Sequence, residues 1–249
     1  MQTNNIIQCQ GLIADDLPFD YKGDALDFEL SAGEVVSIIG PNDTGKSQWL
    51  RTLCGLESQR SGDLHLLGIN ALEISATDWA NTRMKVAYVH TNTALLSAAN
   101  GFINTMIPAL YHRLDNLPEK DLLAERAFDL LEEIDPHLNL DDLPAYISKE
   151  QQYKIAVARA LLLEPDVLAL DAPFISFSNE TKREFQRFLN KRVENGLSLL
   201  LVTNDIPYAL NHSDKILFTE TENLHQFDGK QDILNSKNPI VNEYITLNS

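Results

Sequence analysis

Residues 31–40 read S-A-G-E-V-V-S-I-I-G, a glycine turn followed by an apolar run that only Ser37 interrupts and a second glycine closes. A short, mostly β-branched run without polar alternation predicts a strand buried on both faces, as inside a parallel sheet. After a loop at 41–45, residues 46–56 bring Trp49, Leu50, Leu53 and Cys54 onto one face at helical spacing. Strand, glycine loop and helix therefore follow in immediate succession. Residues 165–171, P-D-V-L-A-L-D, predict another short buried strand ending in an acid, and 197–203 a third. Between them, 179–195 carries a charged helical pattern with Phe185, Phe188 and Leu189 on the inner side. Such alternation implies an α/β core with right-handed crossovers.

The middle of the chain has a different rhythm. Residues 102–114 and 120–134 read as successive helices joined by D-N-L-P at 115–118, with no strand pattern between them. This predicts one domain over residues 1–249, in which a helical subdomain at 91–148 is inserted into a core and β layer formed by 1–90 and 149–249. Segments 6–11, 24–30, 62–67 and 85–89 are short candidate strands of a small antiparallel layer. Trp49, Trp79 and the apolar stripe at 95–110 read as core.

Composition narrows the class. A chain of 249 residues with 44% hydrophobic content buries a substantial core, which excludes disorder and small disulfide-stapled folds. No apolar run approaches the roughly 18 residues of a membrane helix, and the polar start at 1–5 lacks a signal-peptide pattern, so the expectation is a soluble, cytoplasmic chain. Cys9 and Cys54 have no metal-ligand spacing and read as ordinary buried thiols of a reducing compartment. Twenty Lys plus Arg against 36 Asp plus Glu give a formal charge of -16. That field repels polyphosphates and argues against nucleic acid as a partner. An anionic nucleotide can bind only where a local backbone site overrides the repulsion.

Such a site is written at Gly40-Pro41-Asn42-Asp43-Thr44-Gly45-Lys46-Ser47, which satisfies G-x-x-x-x-G-K-[ST] between a predicted strand and a predicted helix. Its glycines let successive backbone N–H groups turn towards phosphates, Lys46 is placed for the terminal phosphates, and the Ser47 hydroxyl for Mg2+. Asp171, at the end of an apolar strand, is the candidate magnesium acid, although a strand-terminal Asp also serves to cap the next turn. His90 reads as a packed or surface residue, and the other histidines show no metal spacing.

Taken in order, G-E-V-V-S-I-I-G-P-N (33–42), L-R-T-L-C-G-L-E-S-Q-R-S-G-D-L (50–64), I-S-K-E-Q-Q-Y-K-I-A-V-A-R-A-L (147–161), E-P-D-V-L-A-L-D-A-P-F (164–174) and L-L-V-T-N-D (200–205) resemble the successive motifs of ABC-type ATPases. The resemblance spans roughly residues 6–230. It implies a P-loop NTPase fold with a RecA-like core, an antiparallel β layer and an inserted helical subdomain. It also implies ATP and Mg2+ as ligands, ABC permease membrane subunits as partners, and a peripheral place on the inner face of the cytoplasmic membrane. Within the family, D-A-P-F at 171–174 and N-P-I-V-N-E-Y-I at 238–245 are similar to the ATPase subunits of MCE-type (Mla) phospholipid transporters. The family stacks an aromatic ring on adenine, for which Phe19 or Tyr21 is placed. It also offers the 95–110 stripe a second reading, as a groove for a short helix of a transmembrane partner.

Departures from the family pattern are as informative. Ala172 stands where the family has the glutamate that activates water, and a missing general base typically costs roughly 100- to 10,000-fold in rate. Asn204 replaces the switch histidine and Thr91 the glutamine after Tyr88-Val89-His90. Asp43 replaces a glycine of the phosphate loop, and Gln48 follows Ser47 where Thr or Ser is usual. The signature Leu-Ser-Gly-Gly-Gln corresponds to Ile147-Ser148-Lys149-Glu150-Gln151, with both glycines gone. A carboxylate about 5 Å from a γ-phosphate opposes binding by roughly 3 kcal/mol at an effective dielectric of 20. Together these losses point to a subunit that does not hydrolyse ATP by the family mechanism and pairs as a heterodimer with a second, intact ABC ATPase subunit. Two other readings stay open: an active homodimer with substitute groups, Glu180 being the nearest acid after Asp171, and a structural or regulatory subunit that has lost ATP binding.

Overall fold

A computed structural model describes residues 5–17, 21–111 and 119–248. The chain opens with β1 (Asn5–Ala14), β2 (Leu26–Ser31) and β3 (Val35–Ile39), then turns through the glycine loop into α1 (Lys46–Leu53). Next come β4 (Gln59–Leu66), β5 (Ile69–Asn70), α2 (Ala76–Lys85) and β6 (Val86–Val89). The middle holds α3 (Gly101–Tyr111), α4 (Lys120–Ile134) and α5 (Lys149–Leu161). Thereafter β7 (Val167–Asp171), α6 (Asn179–Glu194), β8 (Ser198–Val202), α7 (Ile206–His212) and β9 (Lys215–Thr219) alternate, before β10 (Leu224–Phe227), α8 (Gly229–Leu234) and α9 (Pro239–Asn248).

The main sheet has the order β10-β9-β3-β8-β7-β6, parallel except for β10. Strands β3, β7 and β8 are buried along their whole length, as unbroken apolar runs require when helices cover both faces. Ser37, the polar interruption in β3, is satisfied by the Ser213 hydroxyl at 2.7 Å. A second sheet, β2-β1-β4-β5, is antiparallel. Its β2 alternates buried Leu26, Phe28 and Leu30 with exposed Asp27 and Glu29, so one face meets the core and the other water. Between the sheets lies α1, whose Trp49, Leu50 and Leu53 share a core with Ile7, Leu64 and Val36.

Two expectations are corrected. The strand at 85–89 belongs to the parallel sheet and not to the antiparallel layer: its V-A-Y-V run pairs in parallel with β7, Val86 opposite Val167. The 95–110 stripe is only partly core. Met106 and Ala109 point inward, whereas Leu96, Ile103 and Leu110 are exposed and Tyr111 is 76% exposed. In the middle of the chain, Met106 of α3 and Ala127 and Leu131 of α4 pack in one cluster with Ile155 and Val157 of α5. The first of the predicted middle helices is described as far as Tyr111; the rest of it and the joining 115–118 lie outside the described residues.

Cys9 and Cys54 are buried, and burial pushes each thiol up to about 12. Trp49 is core as expected. Trp79 is only half-buried, with the Arg83 guanidinium 4.4 Å over its ring.

Candidate functional site

The phosphate loop is pinned at its start. Gly40 has φ +139°, and a Cβ there would come within 2.2 Å of the Thr219 carbonyl oxygen, so only glycine lets β3 leave the sheet beside β9. Tyr244 of α9 donates its hydroxyl to the Gly40 carbonyl (3.0 Å), and Thr44 Oγ1 donates to the Pro41 carbonyl (2.8 Å) while lying 2.6 Å from Thr219 Oγ1. Gly45, in the left-handed region at φ +83°, is the N-cap of α1.

Lys46 is 9% exposed and folds back on the loop, its ammonium donating to the carbonyls of Gly40 (2.8 Å) and Pro41. Burial pushes its pKa below the ordinary lysine value, a shift that the negative charges of Asp43 and Asp171 only partly offset. Asp171, at the end of β7, is 3% exposed. Its Oδ1 accepts the Ser47 hydroxyl (2.8 Å), its Oδ2 the Tyr88 hydroxyl (3.1 Å), and its carbonyl the Thr91 hydroxyl (3.2 Å).

A cleft of about 500 Å³ lies over these groups, bounded by Asn42, Asp43, Gly45, Lys46, Ser47 and Gln48 on the loop side and by Thr91, Asp171, Ala172 and Asn204 on the other. The fold thus gathers side chains from four separate stretches that the sequence singles out. Gly40, Pro41 and Thr44 act beneath, as the loop's supports. The Ser47 hydroxyl beside the Asp171 carboxylate is a hard oxygen pair that fits a small divalent cation such as Mg2+, which takes few protein ligands and completes its shell with water and phosphate. Among the described residues, no cluster of three or more His, Cys, Asp or Glu suits a metal.

Among the described residues lining the cleft, the carboxylates are Asp43 and Asp171. Ala172 adopts φ +50° and offers a methyl group. Glu180 is exposed in the first turn of α6 and does not line the cleft. Asp205, next to Asn204, is occupied by Lys182 (2.8 Å) and by capping the Tyr208 amide (3.0 Å). Tyr21 does not offer its ring to adenine: it is buried edge-on against Trp49 at 5.7 Å. Phe19 lies outside the described residues. His90 accepts the Asn92 amide through Nδ1 (2.9 Å), in keeping with a structural role.

The signature-like residues lie away from this cleft, at the start of α5. Ser148 and Gln151 form a reciprocal capping box, Ser148 Oγ accepting the Gln151 amide (3.1 Å) and Gln151 Oε1 the Ser148 amide (3.3 Å). Glu150 is turned onto its own chain, with Oε1 on the Lys154 ammonium (2.7 Å) and Oε2 on the Thr181 hydroxyl (3.1 Å). Lys154, its side chain 3% exposed, also binds Asp135 (2.8 Å). A carboxylate paired in this way opposes a phosphate by less than an unpaired one. Lys149 reaches back to Gln152 Oε1 (3.2 Å).

Sequence reasoning missed Tyr88 as a partner of Asp171. A signal was present, since a phenol in a buried strand needs a hydrogen-bond acceptor. Tyr88 also lines a second cavity, of about 390 Å³, among α2, α3, α5 and β6, together with Leu56, Pro108, Tyr111 and Arg159. Of the 95–110 stripe, Ile107 and Pro108 reach its wall. No helix among the described residues is long and apolar enough to cross a membrane.

The profile of the family described as ABC transporter matches residues 24–175. A sulfate/thiosulfate import ATP-binding protein of Shewanella oneidensis is 30% identical over 89% of this chain and 62% of its own length. Its Escherichia coli counterpart is 27% identical over 84% and 56%. The chain therefore spans about three-fifths of the length of these relatives. Among solved structures, an ATP-binding cassette captured as a dimer in a post-hydrolysis state with ADP and Pi superposes with TM-score 0.78 at 21% identity, covering 89% of this chain and 98% of the other. A Clostridium perfringens cassette, part of the cbiONQ transporter complex, superposes with TM-score 0.78 at 20% identity, covering 93% and 92%. These likenesses fix the fold as that of a P-loop ABC cassette.

Proposed function

This chain belongs to the ABC transporter family, and from that premise we propose that it is a nucleotide-binding subunit that holds ATP with Mg2+ but does not hydrolyse it by the family mechanism. One observation carries the proposal. The cleft joins Lys46, Ser47 and Asp171 yet has a methyl group at 172, with Asp43 and Asp171 as its carboxylates among the described residues. Loop amides and the N-terminus of α1 suit phosphate binding, Lys46 supplies the counter-charge, and Ser47 with Asp171 would hold Mg2+, whose charge there would offset that of the phosphates. Asp171 is committed to Ser47 and Tyr88 and is not available to take a proton from water. Asn204 can hydrogen-bond a phosphate oxygen but carries no positive charge. These features leave binding intact and turnover without its base.

A subunit of this kind works in a heterodimer. Its Lys46 and Asp171 would complete one site with a partner's signature, and its Ser148 edge would serve an intact partner's catalytic set. The pairing of Glu150 with Lys154 supports that second role by easing the repulsion between this edge and a phosphate. The groove beside Tyr111 suits a short helix of a permease subunit, which would hold the chain against the inner face of the membrane.

Phospholipid as the solute has less support. Phe174 of the D-A-P-F stretch packs edge-on against Tyr208 at 5.3 Å, and in the 238–245 segment Val241 and Ile245 are buried while Tyr244 braces Gly40. Both segments have packing roles that say nothing of lipid, and the names of the relatives favour import of sulfate or thiosulfate.

The test is steady-state phosphate release by the purified chain at saturating Mg-ATP, with Lys46→Ala as the blank. The expected rate equals the blank. A clear excess over it would overturn the proposal in favour of an active ATPase with substitute groups.

A further inference from the structure

Asp171 holds its carboxylate between two hydroxyls that come from different elements. Ser47 Oγ at the start of α1 donates to Oδ1 (2.8 Å), and Tyr88 of β6 donates to Oδ2 (3.1 Å). The terminal torsion of an Asp side chain is broad and roughly two-fold, so one partner alone leaves the carboxylate free to swivel, whereas two fix its plane. Tyr88 suits the fixing role because β6 pairs in parallel with β7, the strand that ends in Asp171. The result is a chain Tyr88–Asp171–Ser47 running from β6 through the end of β7 to the start of α1.

We propose that Tyr88 is a positioning residue for the magnesium acid: by holding Asp171 Oδ2 it keeps Oδ1 beside Ser47, where a cation is to be bound. The inference rests on the reading that the cleft takes ATP with Mg2+, and it goes further by assigning the order of that acid to a tyrosine of the neighbouring strand. Removing the hydroxyl leaves the loop amides and Lys46 in place, so nucleotide binding without metal is unaffected. Metal binding must then bear the cost of ordering Asp171. Loss of such an outer partner of a metal ligand typically costs 10- to 100-fold in metal affinity, and because Ser47 still holds Oδ1 the expected loss is at the lower end, about 10-fold.

The experiment is a titration of Mg2+ against a fluorescent N-methylanthraniloyl ATP on the full chain, with a parallel titration in EDTA, for the wild type, Tyr88→Phe, Tyr88→Gln and Lys46→Ala. Tyr88→Phe keeps the ring and its packing; it is expected to need about 10-fold more Mg2+ for half-maximal binding, with unchanged affinity in EDTA. Tyr88→Gln, which restores a donor on a shorter side chain, is expected to fall between the wild type and Phe. An unchanged Mg2+ requirement in Tyr88→Phe would overturn the proposal. So would an equal loss with and without Mg2+, which marks a merely structural hydroxyl. Should the wild type bind no better than Lys46→Ala, nucleotide binding itself fails and this inference falls with it, an outcome distinct from the other two.

Discussion

Asp43 is the residue whose presence in the cleft most needs explaining. It occupies the left-handed region at φ +60°, where Asp costs less than most L-residues but more than the glycine usual in the family. Its charge faces the same space as the phosphates of a bound nucleotide. Asp43→Asn keeps the tolerance for that backbone and removes only the charge. It is therefore expected to bind ATP more tightly, on the order of tenfold at low ionic strength, with the gain shrinking as salt screens the interaction. Fluorescence titrations at low and high salt check both parts. The legibility of the site also divides at this scale. Lys46, Ser47 and Asp171 were readable because local motifs carry them. Tyr88 and Tyr244 were not, because their hydroxyl partners lie 83 and 204 residues away and only the fold brings them together.

Among elements, α5 carries the largest departure from the family and also its compensation. Lys154, buried under the start of the helix, binds Glu150 within α5 and Asp135 at the end of α4, tying the helical layer to the signature edge. Burial raises the Asp135 pKa, but the Lys154 ammonium and the His137 amide outweigh it and hold the carboxyl below the ordinary 3.8. A folded-state pKa below the unfolded one contributes stability at neutral pH, and that contribution is lost as the pH falls through the folded value. Asp135→Asn is therefore expected to be about 1–3 kcal/mol less stable than the wild type near neutrality, with the gap closing as acid protonates Asp135. Urea unfolding of both proteins at neutral pH, and again just above the acid limit of the fold, measures the two gaps. Elements were legible in proportion to their apolar signal. Strands β3, β7 and β8 announce themselves as continuous buried runs. By contrast α2, whose one fully buried side chain is Thr82, gives almost no periodic signal. The sheet to which β6 belongs was hidden because a run of only four residues looks alike in either layer.

Over the whole molecule, a formal charge of -16 makes the approach of ATP unfavourable, so binding depends on one concentrated cradle. That cradle and the groove are separate cavities, and Tyr88, which lines the groove, donates its hydroxyl to Asp171 of the cradle. The layered α/β core and the order of its motifs were legible in the sequence. The cavity beside Tyr111 was not legible, because its walls come from α2, α3, α5, β6 and the turn after α1, and no single stretch encodes it. The central claim is that this cradle binds ATP and leaves it intact. The most direct measurement is the identity of the nucleotide recovered from the purified chain after incubation with Mg-ATP and rapid removal of free nucleotide. The account predicts near-stoichiometric ATP on the wild type and none on Lys46→Ala. Recovery of ADP from the wild type, or of no nucleotide at all, would contradict it.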